Sequence, residues 1–468
     1  MSLLGCKARG GFFYKKRYEL YQCSKGPFRM EKNDLLARIR KEGHSFFEEA
    51  GKANENVYLI LLTLYAAIFL MMKVAWTEQA EKITTPLRYG FLSIVIWCSA
   101  LYLFFIVTAW KDLWKKNAAL LLVGGTILAA AYLFSRKMST NLYGAVMDVF
   151  FCLMAYKKNF RKMLYCILGA TVFMLIIAGV GLKAGFTMSM QKPDTDIPGH
   201  ALGINYPNTW GYLAFLAILI IWYLWLRFKP AVTLILFWAV CVFMYKYITC
   251  RTIAGITLVF PVLAFFVDMA EKHADRKAED GMPGCNIPLK CTVTAIPFFV
   301  FAFMMFSSMQ VDWWHQFYHG PLRNLAWRFI QGGLYFRTYG LPLIGNPYRS
   351  NQFTFVNVRG EFIKVGILDS SFAAYIIMRG ILWLIYTLAW LCAAIWKALK
   401  KRDYAIPFME LIILLFAMME RPGLEMWYNF VMLYPLAKVI SKPGTEIVKD
   451  TEITESTVVT DNAADIPE

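Results

Sequence analysis

The chain has 468 residues, of which 58% are hydrophobic, 16% aromatic and only 17% charged, with a formal net charge of +17. Such a composition excludes a soluble enzyme built around one core and describes a polytopic membrane protein. The positive excess calls for no nucleic-acid partner, because Lys and Arg near helix ends face anionic membrane lipids on the cytoplasmic side.

Residues 1–55 are polar and basic without an apolar run, which predicts a cytoplasmic segment and no cleavable signal peptide. Helical apolar spacing begins only after Met30, in EKNDLLARIRKEGHSFFEEA; translation from Met1 and from Met30 are both open. A bilayer-crossing helix needs about 20 mostly apolar residues. Candidate spans follow at 57–75, 89–109, 118–134, 142–156, 163–182, 208–226, 232–249, 253–268, 291–309, 372–396, 405–419 and 427–440. The expected fold is therefore an all-α integral membrane domain over 56–440, with about twelve transmembrane helices. Basic clusters at 111–116, 157–162, 227–229 and 397–402 alternate correctly for this list. Both termini are thus expected inside, with 183–207, the turn at 250–252 and a long loop at 310–371 outside. Residues 441–468 are acidic and nearly free of aromatics, as in a disordered cytoplasmic tail.

The cysteines point to neither disulfides nor zinc. Of the ten, Cys98, Cys152, Cys166, Cys241 and Cys392 lie within expected spans, and Cys285 and Cys291, the latter at the start of one, have no His beside them. In the outer loop His315 and His319 are four apart but lack a third ligand, so no metal is expected. No internal repeat is visible, which disfavours transporter folds built from duplicated halves.

Irregular polar sequence meeting membrane marks function, and here it gathers on the expected outer side. The stretch GHALGINYPNTWGY at 199–212 runs directly into an apolar helix. The outer loop carries Arg323, Arg328, Arg337, Arg349 and Arg359. Arginine suits an anionic lipid-linked substrate, because its planar fork makes two hydrogen bonds to a phosphate and never loses its charge. The alternative for most of them is solvation or contact with phospholipid head groups. Arg328 and Arg337 differ because they lie among aromatics, in WRFIQGGLYFR, where an uncompensated guanidinium is expensive to bury. Arg251 stands in the tight turn TCRTIAG, which offers no carboxylate; snorkelling to the interface is its other reading. Asp369, in LDSSFAAY at the start of the tenth span, is placed to act as a general base, or simply as an N-cap. Asn208 has the same second reading. Glu420 beside Arg421 reads as an ion pair at an outer turn, and Asp148 and Asp268 as locally paired charges.

Four of these elements, in order and on one side of the membrane, resemble the Wzy-type polysaccharide polymerases of Gram-positive bacteria, within the O-antigen polymerase and ligase superfamily. GHALGINYPNTWGY is similar to that family's Arg-x-x-Gly…Pro-Asn…Gly element, CRTIAG to its Arg-Ser/Thr turn, LAWRFIQGGLYFRTYGLPLIGN to its Arg…Gly-rich outer element, and LDSSFAAYIIMRGI to its Asp-Asn-Ser-Tyr…Gly element. The resemblance implies a GT-C-like architecture with short helices in a large extracellular loop. It also implies a metal-independent, cofactor-free, inverting glycosyltransferase that joins undecaprenyl-diphosphate-linked oligosaccharide repeat units at the cytoplasmic membrane. Arg251 and Arg328 would hold the donor diphosphate, and Asp369 would serve as base for the acceptor hydroxyl. Substrate contacts would fall to His200, Asn205, Asn208, Arg337, Asn346 and Ser370. Two departures are His200, where the family has Arg, and Phe372, where it has Tyr. A flippase and a chain-length regulator are the implied partners. A ligase to another acceptor would share nearly every motif, whereas a flippase would place its arginines within the spans.

Overall fold

The structure is a computed structural model that describes residues 54–109, 141–189, 200–248, 250–279, 287–317, 322–345, 353–356, 362–365, 370–420 and 424–439. The chain divides into two compact units, Met1–Val57 and Tyr58–Glu468, and nearly all described residues belong to the second.

Among the described residues the helices are accompanied by one antiparallel hairpin, β1 (Phe353–Val356) and β2 (Phe362–Val365), in register from Phe353↔Val365 to Val356↔Phe362, and by isolated β-bridges. Among the described residues six helices are long and apolar enough to cross a membrane, as an α-helical membrane protein requires. They are α1 (Asn54–Met71), α4 (Phe160–Lys183), α5 (Pro207–Leu226), α6 (Pro230–Ile248), α7 (Arg251–Arg276) and α13 (Ile381–Lys400); the first five coincide with expected spans, and α13 takes up the second part of the tenth. A seventh is the pair α8 (Ile287–Thr294) and α9 (Ile296–Met309), bent by 46° where Pro297 opens the second helix. The remaining helices are α2 (Glu78–Ala109), α3 (Asn141–Met154), α10 (Val311–His315), α11 (Arg323–Tyr339), α12 (Ser371–Arg379) and α14 (Ala405–Met419). The expected span at 118–134 and the acidic tail lie outside the described residues.

Large apolar side chains such as Trp97, Ile235 and Leu101 are exposed on the outer faces of these helices, where an aqueous protein would place charge. Inside, aromatic packing links distant segments. Trp427 lies 4.5 Å from Tyr65 and 5.5 Å from Phe151, centroid to centroid, and Phe237 stacks on Phe260 at 4.4 Å. Each such contact adds roughly 0.5–1.5 kcal/mol beyond area burial.

Two departures from the expected spans have clear causes. The tenth span is not one helix: it breaks at Gly380, which adopts φ 92°, a conformation that costs glycine little. Chain 342–345 crosses against the break so closely that a Cβ on Gly380 would overlap the carbonyl of Leu343. In return the carbonyls of Pro342 and Leu343 accept from the N–H groups of Ile381 (2.9 Å) and Leu382 (3.3 Å), which the break leaves without helical partners. Every residue of α12, the short half before the break, is buried.

The twelfth span, expected at 427–440, is also not a helix. It holds a 3-10 turn, Phe430–Leu433, followed by further turns through Pro435. Non-helical backbone at membrane depth must find donors within the protein, and α13 supplies them. Lys397 Nζ donates to the carbonyls of Tyr434 (3.0 Å), Pro435 (2.9 Å) and Ala437, and Trp390 Nε1 to that of Met432 (2.6 Å).

Candidate functional site

Glu420 caps the C-terminus of α14, and groups from three other helices meet on it. Pro207 opens α5, with Tyr206 before it making no side-chain cap, so Asn208 sits in the first turn and is not the cap. Its Nδ2 donates to Glu420 Oε1 at 2.9 Å, and its Oδ1 accepts from the thiol of Cys250 at 3.0 Å. Gly211, one turn on, allows this approach, since a Cβ there would stand 2.9 Å from Cys250 Sγ.

From α11, Arg328 Nε donates to the Met419 carbonyl at 2.7 Å, one of the carbonyls that the end of α14 leaves without a helical donor. Its Nη2 reaches Glu420 Oε1 at 3.5 Å, with side chains only 15% and 7% exposed. The Gly332–Gly333 pair seats α11 on α9: a Cβ on Gly332 would lie 2.8 Å from Ser308 Oγ. The glycines of this element thus have a packing role. Ser371, first residue of α12, donates its hydroxyl to the backbone carbonyl of Glu420.

Of the residues singled out from sequence, Asn208 and Arg328 are joined directly through Glu420. Arg251 directly follows Cys250 and opens α7; it is exposed, and among the described residues its side chain makes no ion pair. Ser370 precedes α12, is fully buried, and its Oγ has no hydrogen-bond partner among the described residues. His200 and Asn205 are exposed and fixed by their backbones, His200 N to Tyr247 O (3.2 Å) and Asn205 N to Lys73 O (2.8 Å). Arg337, expected to resemble Arg328, instead forms a half-exposed pair with Asp312 at 3.5 Å, of the kind worth about 0–1 kcal/mol. Asp369, Asn346, His319 and Arg421 lie outside the described residues.

Glu420, Cys250 and Ser371 were not singled out as site residues from sequence. The expected pairing of Glu420 with Arg421 involves a residue outside the described ones, and a partner next in sequence gave no reason to look for others on distant helices. The usable signal was a carboxylate ending an apolar helix in a chain with surplus arginine on the same expected side.

Two further buried ion clusters pair residues remote in sequence, where local pairing was expected for Asp148 and Asp268. Arg379 lies 3.7 Å from both Asp148 and Glu425. Arg227 meets Asp268 and Glu271 at 2.8 Å and Asp403 at 3.8 Å, and Tyr223 donates to the same Asp403 at 2.8 Å. Burial pulls the Arg227 pKa down, but Glu271, Asp403 and Asp268 together raise it above the ordinary arginine value. Among the described residues no group of three or more His, Cys, Asp or Glu side chains is placed to hold a metal ion. Comparison with protein-family models, curated proteins and solved structures finds no match for this chain.

Proposed function

We propose that this chain polymerises undecaprenyl-diphosphate-linked oligosaccharide repeat units into capsular or exopolysaccharide on the outer face of the cytoplasmic membrane. It would act as a metal-independent inverting glycosyltransferase, with a GT-C-like transmembrane domain and both termini in the cytoplasm. The observation that carries this reading is the convergence on Glu420. Asn208, Arg328 and Ser371 come from three of the four sequence elements in which the resemblance lies, and Cys250 of the fourth bonds to Asn208.

In this mechanism an acceptor hydroxyl attacks the anomeric carbon of the donor sugar in a single displacement. The C–O bond to the diphosphate breaks, the hydroxyl proton passes to the Asp369 carboxylate, and undecaprenyl diphosphate departs. Arg328 and Arg251 stabilise the charge on the leaving group, as preorganised donors do in the transition state. Ser370, buried beside Asp369 in sequence with an unused hydroxyl, is suited to orient a sugar oxygen.

The test is to delete the gene in its host, complement with wild type or Arg328→Ala, and size the glycan on undecaprenyl diphosphate and at the cell surface. Single repeats on lipid, with long polymer restored only by wild type, is the expected result. Repeats trapped on the cytoplasmic leaflet would identify a flippase. Long lipid-linked polymer that never reaches its final acceptor would identify a ligase.

A further inference from the structure

Glu420 has a place in the cluster that the polymerase mechanism leaves without a role. Among the contacts of its carboxylate with described residues are a short one to Asn208 at 2.9 Å and a long one to Arg328 at 3.5 Å. Arg328 is anchored separately, through Nε on the Met419 carbonyl at 2.7 Å. The guanidinium therefore keeps its position if Nη2 changes partner, and the carboxylate keeps a donor if Arg328 leaves it. This is the geometry of an exchangeable contact. A phosphate oxygen accepts from guanidinium in the same way as a carboxylate oxygen, and a carboxylate this close weakens the field that Arg328 offers an incoming anion.

We propose that Glu420 is a positioning residue that stands in for the substrate's diphosphate. It engages Arg328 Nη2 in the empty site and yields it to the lipid diphosphate, while Asn208 retains the carboxylate. The proposal rests on the polymerase reading and deepens it. It has a kinetic consequence: undecaprenyl diphosphate carries one more negative charge as leaving group than as the sugar-linked donor, so the return of Glu420 to Arg328 promotes product release, a step that often limits turnover.

The test uses the full-length chain in lipid nanodiscs, with undecaprenyl diphosphate as the probe. Glu420→Gln removes the charge but keeps an acceptor for Asn208. Its Kd should fall about fivefold, and the KM and kcat for lipid-linked repeat units should fall together. In an Arg328→Ala background the same substitution should leave Kd unchanged. Should Glu420→Gln fold poorly, Glu420→Asp draws the carboxylate back from Arg328 and should also tighten binding. Unchanged or weaker binding in a variant whose Tm matches wild type would make Glu420 a fixed strut and overturn the proposal alone. If wild type fails to bind undecaprenyl diphosphate, or Arg328→Ala binds it as tightly, the polymerase reading falls and the proposal with it.

Discussion

Arg328 satisfies a helix-end carbonyl through one nitrogen and a carboxylate through another, which a lysine ammonium, a single point charge, does not reproduce. Arg328→Lys should therefore behave like Arg328→Ala, cutting polymer formation by about 10²-fold or more, as measured by the size distribution of lipid-linked glycan. Recovery of full-length polymer by the lysine variant would mean that charge alone suffices. Arg227 is a different case, because three carboxylates surround it in a nearly closed site. Arg227→Met leaves them buried without their cation, at about 3–5 kcal/mol, and should show as loss of folded, detergent-extractable protein; near-normal yield would contradict that role. The site was partly legible at this scale. Arg328 and Asn208 stood out because guanidinium and amide groups beside apolar helices need partners, and both have them. Arg337 sits in the same aromatic stretch but faces outward to Asp312, since composition does not say which side of a helix a residue occupies. The contacts of Glu420 with Asn208 and Arg328 could not be read from sequence because they come from α5 and α11 and only the tertiary fold makes them.

The break between α12 and α13 places the end of the expected outer loop against Glu420. Gly380→Ala forces a side chain into φ 92° and into the Leu343 carbonyl, and should cost upward of about 2 kcal/mol. Gly169→Ala is the control: it lies within α4 with nothing within 4 Å of a new Cβ, and should be neutral or stabilising by roughly 0.5–1 kcal/mol. Tm in detergent reads both, and equal values would remove the case for a strained break. Lys397→Met tests the neighbouring irregular segment, where the carbonyls of Tyr434, Pro435 and Ala437 accept from one ammonium. The expected loss is about 1–3 kcal/mol for each carbonyl left without a donor, read as a lower Tm. Hydropathy located α1, α4, α5, α6 and α7 well, because length and apolar content are local properties. It joined α12 to α13 and made a helix of 427–440 because an apolar run looks the same whether it spans lipid or folds back inside protein, where Gly380 and the donors of α13 decide the path.

For the whole molecule, membrane-length and shorter helices together build a cluster to which separated parts of the chain each contribute one residue. Asn208, Cys250, Arg328, Ser371 and Glu420 lie far apart in sequence, and the fold brings Asn208, Arg328 and Ser371 onto Glu420 and Cys250 onto Asn208. If that cluster grips a lipid diphosphate, the purified chain should perform its chemistry without soluble partners, cofactor or divalent metal. The most direct measurement is to reconstitute the full-length protein in liposomes with undecaprenyl-diphosphate-linked repeat units and EDTA, then resolve the products by size. A ladder of lengthening lipid-linked polymer, with the anomeric configuration inverted at each new linkage and lost in Arg328→Ala, is the predicted result. Folded protein that leaves the repeat units unjoined, or a ladder that Arg328→Ala makes equally well, would contradict it.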